Sequence, residues 1–188
     1  MTTDRIKFLQ NHIIKSPHTK SQTPQNLQIM HGRMHGKLKG FINPPARTLN
    51  EFAPDDPTIG AKYARAVAFK RLHRIDEALA IMDALTLASP EDPFFHELTG
   101  DILQDAGRIR ASITPYRKAV LILPWAALIR TNLAQSLLEL NEPKADDEAL
   151  THLANAIRYE PKDARAWRLL STAYARQGDQ GNVMLALA

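Results

Sequence analysis

Cysteine is absent from the 188 residues. That excludes a disulfide framework, a thiolate zinc site and a cysteine nucleophile. Long apolar runs are also missing: none approaches the roughly 18 residues needed to cross a bilayer, so no membrane span is expected. The opening MTTDRIKFLQNHIIKS lacks the apolar core and small-residue cleavage site of a secretory signal. Phosphate cradles of the GxGxxG or GxxxxGK[ST] kind and the GxSxG elbow do not occur. What is present is a globular composition, 44% hydrophobic and 23% charged, with enough apolar side chains for a sizeable core.

Acidic residues are nearly missing from one end. Residues 1–50 hold eight bases (Arg5, Lys7, Lys15, Lys20, Arg33, Lys37, Lys39, Arg47) against one acid, Asp4, whereas residues 51–188 carry a net charge of −3. A basic arm beside an acidic domain is a pattern that meets nucleic acid or anionic lipid. Here the cations are spread thinly, and only Phe8 and Phe41 could stack on bases, so nucleic acid is not an expected partner. The arm is expected to pack, in cis, on something acidic.

The strongest signal is a repeat. Small residues stand at Ala66, Gly100, Ala134 and Ser171, spaced 34, 34 and 37. Three places after each comes a bulky one: Phe69, Leu103, Leu137, Tyr174. A second small series, Ala78, Ser112 and Ala149, precedes Met82, Tyr116 and Leu153 by four, and Pro90, Pro124 and Pro161 close the units. The register predicts two antiparallel helices per unit, the small residue admitting a neighbouring helix and the bulky one filling the gap. Gly107 and Gly178 fall where the first helix must end in a left-handed cap. The prolines stop the second helix. Pro115, inside a second helix, predicts a bend or a late start there.

Residues 1–58 differ in kind. Asp4 to Ile14 reads as a short helix, and SPHTKSQT (16–23) as a polar linker. Pro24 to Phe41 reads as a longer helix with an apolar stripe of Leu27, Met30, Met34, Leu38 and Phe41. Gly32, Gly36 and Gly40 recur along it every fourth residue. Each glycine costs about 1 kcal/mol of helix stability against alanine, so this helix needs a docking partner. The chain therefore divides into an N-terminal helical arm or linker, 1–58, and a repeat domain, 59–188.

Catalytic constellations fail on inspection. His31 and His35 share a helix face, but Gly32 stands where a zinc peptidase of the HExxH type places its base, and no carboxylate completes a metal site. His96-Glu97 begins the same motif, with Gly100 in place of the second histidine. Asp146, Asp147 and Glu148 lack the ligand alternation of a calcium loop and read as a solvated helix N-terminus. No catalytic residue, metal ligand or cofactor is assigned to this chain.

The repeat resembles the tetratricopeptide repeat, most closely at Trp167, Leu170, Ser171, Tyr174, Gly178 and Asp179. Units fall at 59–92, 93–126 and 127–163, with a half-unit at 164–188, although Lys62 and His96 occupy the usual tryptophan place. The resemblance implies an all-α helical solenoid of three repeats and a half-unit, preceded by the helical arm. It also implies a concave groove that binds a peptide or partner protein. By register the groove positions are Tyr63, Val67, Lys70 and Arg71, then Glu97, Asp101, Gln104 and Asp105, then Thr131, Gln135 and Leu138, then Arg165, Arg168, Thr172 and Arg176.

Thr3-Asp4-Arg5-Ile6 and the stretch from His31 to Arg47 (HGRMHGKLKGFINPPAR) are similar to the segment between the catalytic domain and the repeats in bacterial HExxH zinc metallopeptidases. These are relatives of the periplasmic β-barrel-assembly-enhancing protease. The resemblance implies a periplasmic setting, zinc in the parent protein, and repeats that meet outer-membrane assembly machinery, a protease domain or unfolded clients. Arg5 is the one residue it carries over, as a neighbour of an active site outside this chain. The alternative it implies is an active zinc metalloendopeptidase whose catalytic half lies elsewhere. The apolar stretch Val183 to Ala188 predicts an exposed edge, covered by further sequence, by the catalytic domain or by a second copy in self-association.

Overall fold

The computed structural model describes residues 2–19 and 21–188. Met1, at the start of the arm, and Lys20, in its linker, lie outside the described residues. Eleven α-helices and no strand are found among the described residues, and none of the helices is long and apolar enough to cross a membrane. Three belong to the first 58 residues: α1 (Thr3–Lys15), α2 (Gln25–Ile42) and α3 (Pro45–Glu51). Eight form four pairs: α4 (Ile59–Arg71) with α5 (Ile75–Ala88), α6 (Pro93–Asp105) with α7 (Ile109–Ile122), α8 (Ala127–Glu139) with α9 (Pro143–Tyr159), and α10 (Ala164–Arg176) with α11 (Gln180–Leu187).

The pairs share their punctuation, although α8, which begins after Ala126, has no side-chain cap. Thr58, Asp92 and Asp163 cap the first helices by accepting from backbone N–H groups one turn in, satisfying donors that the helix leaves open. The turn after each first helix carries one residue in the left-handed region: His73 (φ 56°), Gly107 (φ 71°), Asn141 (φ 55°) and Gly178 (φ 77°). The two glycines are the caps expected from the sequence. His73 and Asn141 hold the equivalent places, which His and Asn tolerate better than most non-glycine residues.

The fourth residue of α6, α8 and α10 shows how the fold accepts departures from the repeat signature. Trp167 Nε1 donates to the Pro161 carbonyl at 2.8 Å, Arg130 Nε donates to the Pro124 carbonyl at 2.6 Å, and His96 Nε2 stands 2.8 Å from the Pro90 carbonyl. Three different rings or forks thus tie a first helix to the proline that closed the preceding unit. The residue type varies while the hydrogen bond is retained.

The core follows the small and bulky series. Ala66, Ala78, Met82, Gly100, Ser112, Tyr116, Ala134, Leu137, Ala149 and Leu153 are all buried, while Ser171 and Tyr174 in the last pair are partly covered. Gly100 is the tightest contact of the series: a Cβ there would stand 2.7 Å from the Tyr116 ring. Two expectations are corrected. Helix α7 runs from Ile109 through Pro115 to Ile122, so of the bend or late start expected at the proline the late start is excluded. Its six residues before the proline, counted from Ile109, already form the first turns that carry it past the missing donor. The acids Asp146, Asp147 and Glu148 do stand in the opening turns of α9, with Asp147 exposed, but Asp146 is buried rather than solvated. They receive Arg176, Gln177 and Arg117 from neighbouring helices. The three-residue excess of the third unit appears as one extra turn of α9, which has 17 residues where α5 and α7 have 14.

Helix α11 buries Ala186 and leaves Met184, Leu185 and Leu187 exposed. Between it and α10 runs an apolar cleft of about 450 Å³ lined by Trp167, Arg168, Leu185 and Leu187.

Because Tyr116 occupies the space of a Gly100 side chain, Gly100→Ala is expected to destabilise the fold by about 1–3 kcal/mol, the usual cost of overpacking. Chemical denaturation followed by circular dichroism measures it; an unchanged midpoint would show that Tyr116 moves aside freely.

Candidate peptide groove

The first helices α4, α6, α8 and α10 carry the groove positions, and the structure divides those positions into two halves. Over the first half lies α2. Its contacts advance in step with α4: Gly36 against Gly60, Gly40 against Ala64 and Val67, and Asn43 against Arg71. A Cβ on Gly36 would fall on the Gly60 carbonyl, and one on Gly40 would stand 2.8 Å from Val67 Cβ. The glycine face, not the apolar stripe, is therefore the docking face. Leu27, Met30, Met34, Leu38 and Phe41 are each about half exposed.

Charge completes the seat. Arg33 pairs with Asp92, the cap of α6, and Lys37 Nζ lies 3.4 Å from Glu97. Both cations also stand over the Phe94 ring, at 5.0 and 5.3 Å from its centre, a favourable placement against the ring quadrupole. At the other end, Arg71 donates to the carbonyls of Gly40 and Asn43, where a helix terminus carries partial negative charge. Lys39 pairs with Glu51 on α3 at 2.8 Å. The basic arm thus packs in cis on acidic residues.

This seat corrects the reading of several groove positions. Tyr63 and Val67 are almost fully buried beneath α2, and Glu97 is 6% exposed, so none of the three is open to a partner. Arg71 is engaged with the end of α2. Thr131 and Leu138 are buried as well. The Thr131 hydroxyl donates to the Ala127 carbonyl.

A second group of predicted positions is joined from unit to unit. Lys70 pairs with Asp105 at 2.9 Å. Asp101 accepts from the Tyr116 hydroxyl at 2.6 Å and from Asn132 at 3.3 Å. Asn132 accepts from Arg165 at 2.7 Å, and Arg165 also donates to Gln135. Gln104 and Gln135 both donate to Glu139. Burial pushes the Glu97 carboxyl above its ordinary range, outweighing the Lys37 ammonium beside it, and burial likewise raises Asp101 against the pull of the Tyr116 hydrogen bond.

What stays open is the far half. Gln135, Leu138, Glu139, Arg165, Arg168, Leu169, Thr172 and Arg176 line a groove of about 510 Å³ between α8 and α10. Arg176 donates to the Leu138 carbonyl and to Asp146. Glu139 and Leu169 are lining residues that the register argument missed; Leu169 lies one place off the predicted face and is reached because the groove wraps around α10. Arg33 and Lys37 were missed as groove residues because nothing in the local sequence says where the arm lies. His31 and His35 stack with ring centres 6.3 Å apart. Among the described residues no group of three or more His, Cys, Asp or Glu side chains comes together.

Paired helices repeating through the chain, with a groove along the first helix of each pair, define a helical repeat protein of the protein-binding class. The tetratricopeptide repeat family matches residues 63–127 and 131–182, and the chain belongs to it. Over 130 residues it is 27% identical to the "Beta-barrel assembly-enhancing protease" of Yersinia pestis, a stretch that covers 69% of this chain and 26% of that protein. The chain thus spans about a quarter of that relative. Among solved structures it is similar to MamA (AMB-1), with a TM-score of 0.68, 13% identity, and 83% of this chain and 93% of that one covered. It is also similar to YrrB, described as a TPR protein with an unusual peptide-binding site, with a TM-score of 0.64, 16% identity, and 92% and 89% covered. At such identities these two likenesses speak for the fold.

Two outcomes follow from the seat of α2. Gly36→Leu is expected to drive α2 off α4, because its side chain would meet backbone rather than a movable group. Limited proteolysis should then cut within 25–42 much faster while the repeats keep their helical spectrum; unchanged protection would contradict the close contact. The raised Glu97 carboxyl has a definite sign. A group whose folded pKa is raised stabilises the fold below its unfolded pKa and loses that contribution as the pH rises through the folded value. Glu97→Gln is expected to gain stability relative to the parent from about pH 4 to pH 7, read from denaturation midpoints. A difference that does not change with pH would show that Lys37 fully offsets the burial.

Proposed function

We propose that this chain is a protein-interaction module whose concave groove receives a peptide or partner segment, and that it serves as the non-catalytic part of a periplasmic zinc metalloprotease. The observation that carries the first half is the seat of α2. A helix lying on groove positions of α4, with side chains reaching α6, is the helix-in-groove mode by which such surfaces take ligands. The far half offers the same kind of surface without a tenant. The likeness to the protease relative supports the second half, together with the similarity of residues 31–47 to the segment that precedes repeats in such enzymes. In that setting the repeats hold outer-membrane assembly machinery or unfolded clients near a catalytic domain that contains the zinc. The second reading, an active metalloendopeptidase, rests on the same relative and assigns all zinc chemistry to residues outside this chain.

Site-specific photo-crosslinking separates a working groove from a merely structural solenoid. With the crosslinker at Thr172 in the open half, adducts to a defined partner are expected in cells; with it at Asp83 on the second helix of the first unit they are not. Equal labelling from both places would overturn the groove reading. A casein-cleavage assay of the purified chain, with and without zinc, is expected to be negative under both readings, and cleavage would overturn the placing of all zinc chemistry outside this chain.

A further inference from the structure

The two halves of the groove carry opposite charge. In the first half the groove-lining acids Glu97, Asp101 and Asp105 are met by Lys37 of α2, by Tyr116 and Asn132, and by Lys70. The tenant α2 is basic, and its glycines permit backbone contact. In the open half the signs reverse. Arg165, Arg168 and Arg176 line it against one carboxylate, Glu139, which already accepts from Gln104 and Gln135. Asp146 lies behind Arg176 and holds one of its nitrogens.

We propose that the open half of the groove binds an acidic peptide segment, its carboxylates set against Arg168 and the outer faces of Arg165 and Arg176. The inference rests on the groove reading above and names the chemistry of its partner. Three observations support it.

The first is placement. Arg165, Arg168, Thr172 and Arg176 recur at helical spacing on one face of α10, a row about 16 Å long at 1.5 Å per residue. That length matches about five residues of extended chain or about three turns of helix.

The second is preorganisation. Arg165 is held by Asn132 and Gln135, and Arg176 by Leu138 and Asp146, so two of the three guanidinium groups are fixed before a ligand arrives. Fixing them in advance lowers the ordering cost of binding. Arg168 is exposed and its guanidinium makes no hydrogen bond or ion pair among the described residues, which leaves its fork for a carboxylate.

The third is apolar support. Leu169, partly exposed, forms part of the wall beside the buried Leu138, so a leucine within an acidic segment has an apolar side chain to cover. A basic segment would meet three guanidinium groups at close range, and such like-charge contact excludes wrong partners. The occupant therefore differs from α2 in charge while resembling it in manner.

The test uses the full chain and short fluorescein-labelled peptides built from Glu, Asp, Leu and Ala, with Lys-for-acid and Gln-for-acid versions as controls. Anisotropy is expected to show binding of the acidic peptide alone, weakened by salt as the Debye length shortens. Arg168→Glu should weaken it about tenfold or more and Arg168→Gln less. Circular dichroism confirms that these surface variants remain folded. A displayed random peptide library provides the second arm. If it yields acidic binders lost on Arg168→Glu, the proposal holds. Neutral or basic binders that are lost on Thr172→Arg but indifferent to Arg168→Glu would overturn the charge assignment and leave the groove reading standing. A library that yields no binder would overturn both.

Discussion

A small residue at the eighth place of each first helix governs how closely the helices of this protein can stack. At Gly100 the ring of Tyr116 occupies the space a Cβ would need, and that approach carries the Tyr116 hydroxyl to Asp101. Asp101 in turn receives Asn132, and Asn132 receives Arg165. One absent methyl group therefore lies at the root of a polar chain that joins the second, third and fourth pairs. Ala66 and Ala134 perform the same office with slightly more bulk, and both are fully buried.

The same device works on the opposite side of α4. Gly60 meets Gly36, and Gly40 meets Ala64 and Val67, so α2 comes down to backbone contact. Glycines that weaken an isolated helix become the condition for docking it, because the packing gained depends on the missing side chains. The consequence for function is a groove with unequal halves. Beneath α2, Tyr63, Val67 and Glu97 belong to the interior. Beyond it, α8 and α10 keep a basic concavity open. A repeat array presents nearly identical backbone at each step, so differences in use along it come from side-chain charge and from what the rest of the chain lays on top.

Exposed apolar surface is concentrated away from the groove. The outer stripe of α2 and the residues Met184, Leu185 and Leu187 of α11 remain uncovered, and α1 buries nothing at all. The stacked pairs also leave apolar side chains in solvent, Leu87, Leu121, Trp125 and Leu128 among them.

Helix number, pairing and capping were legible in the sequence because they depend on local rules. A 34-residue register, small and bulky residues three and four apart, left-handed turns and closing prolines each act within a few residues of where they are written. Ala66, Met82, Gly107 and Gly178 could be placed from spacing alone. The path of α2 could not. Its glycine period announced that a partner was needed, but the partner, Gly60, lies beyond a linker and a third helix, and only the folded chain brings the two backbones together. The fate of the groove positions was undecided for the same reason. Whether Tyr63 faces a ligand or is buried, whether Arg165 is free or held by Asn132, and whether Pro115 delays a helix all depend on neighbours distant in sequence. Periodicity determined which side of each helix faces inward; tertiary contact decided which of those faces was already occupied, because burial is a property of everything that packs against a residue and not of the residue's own place in the repeat.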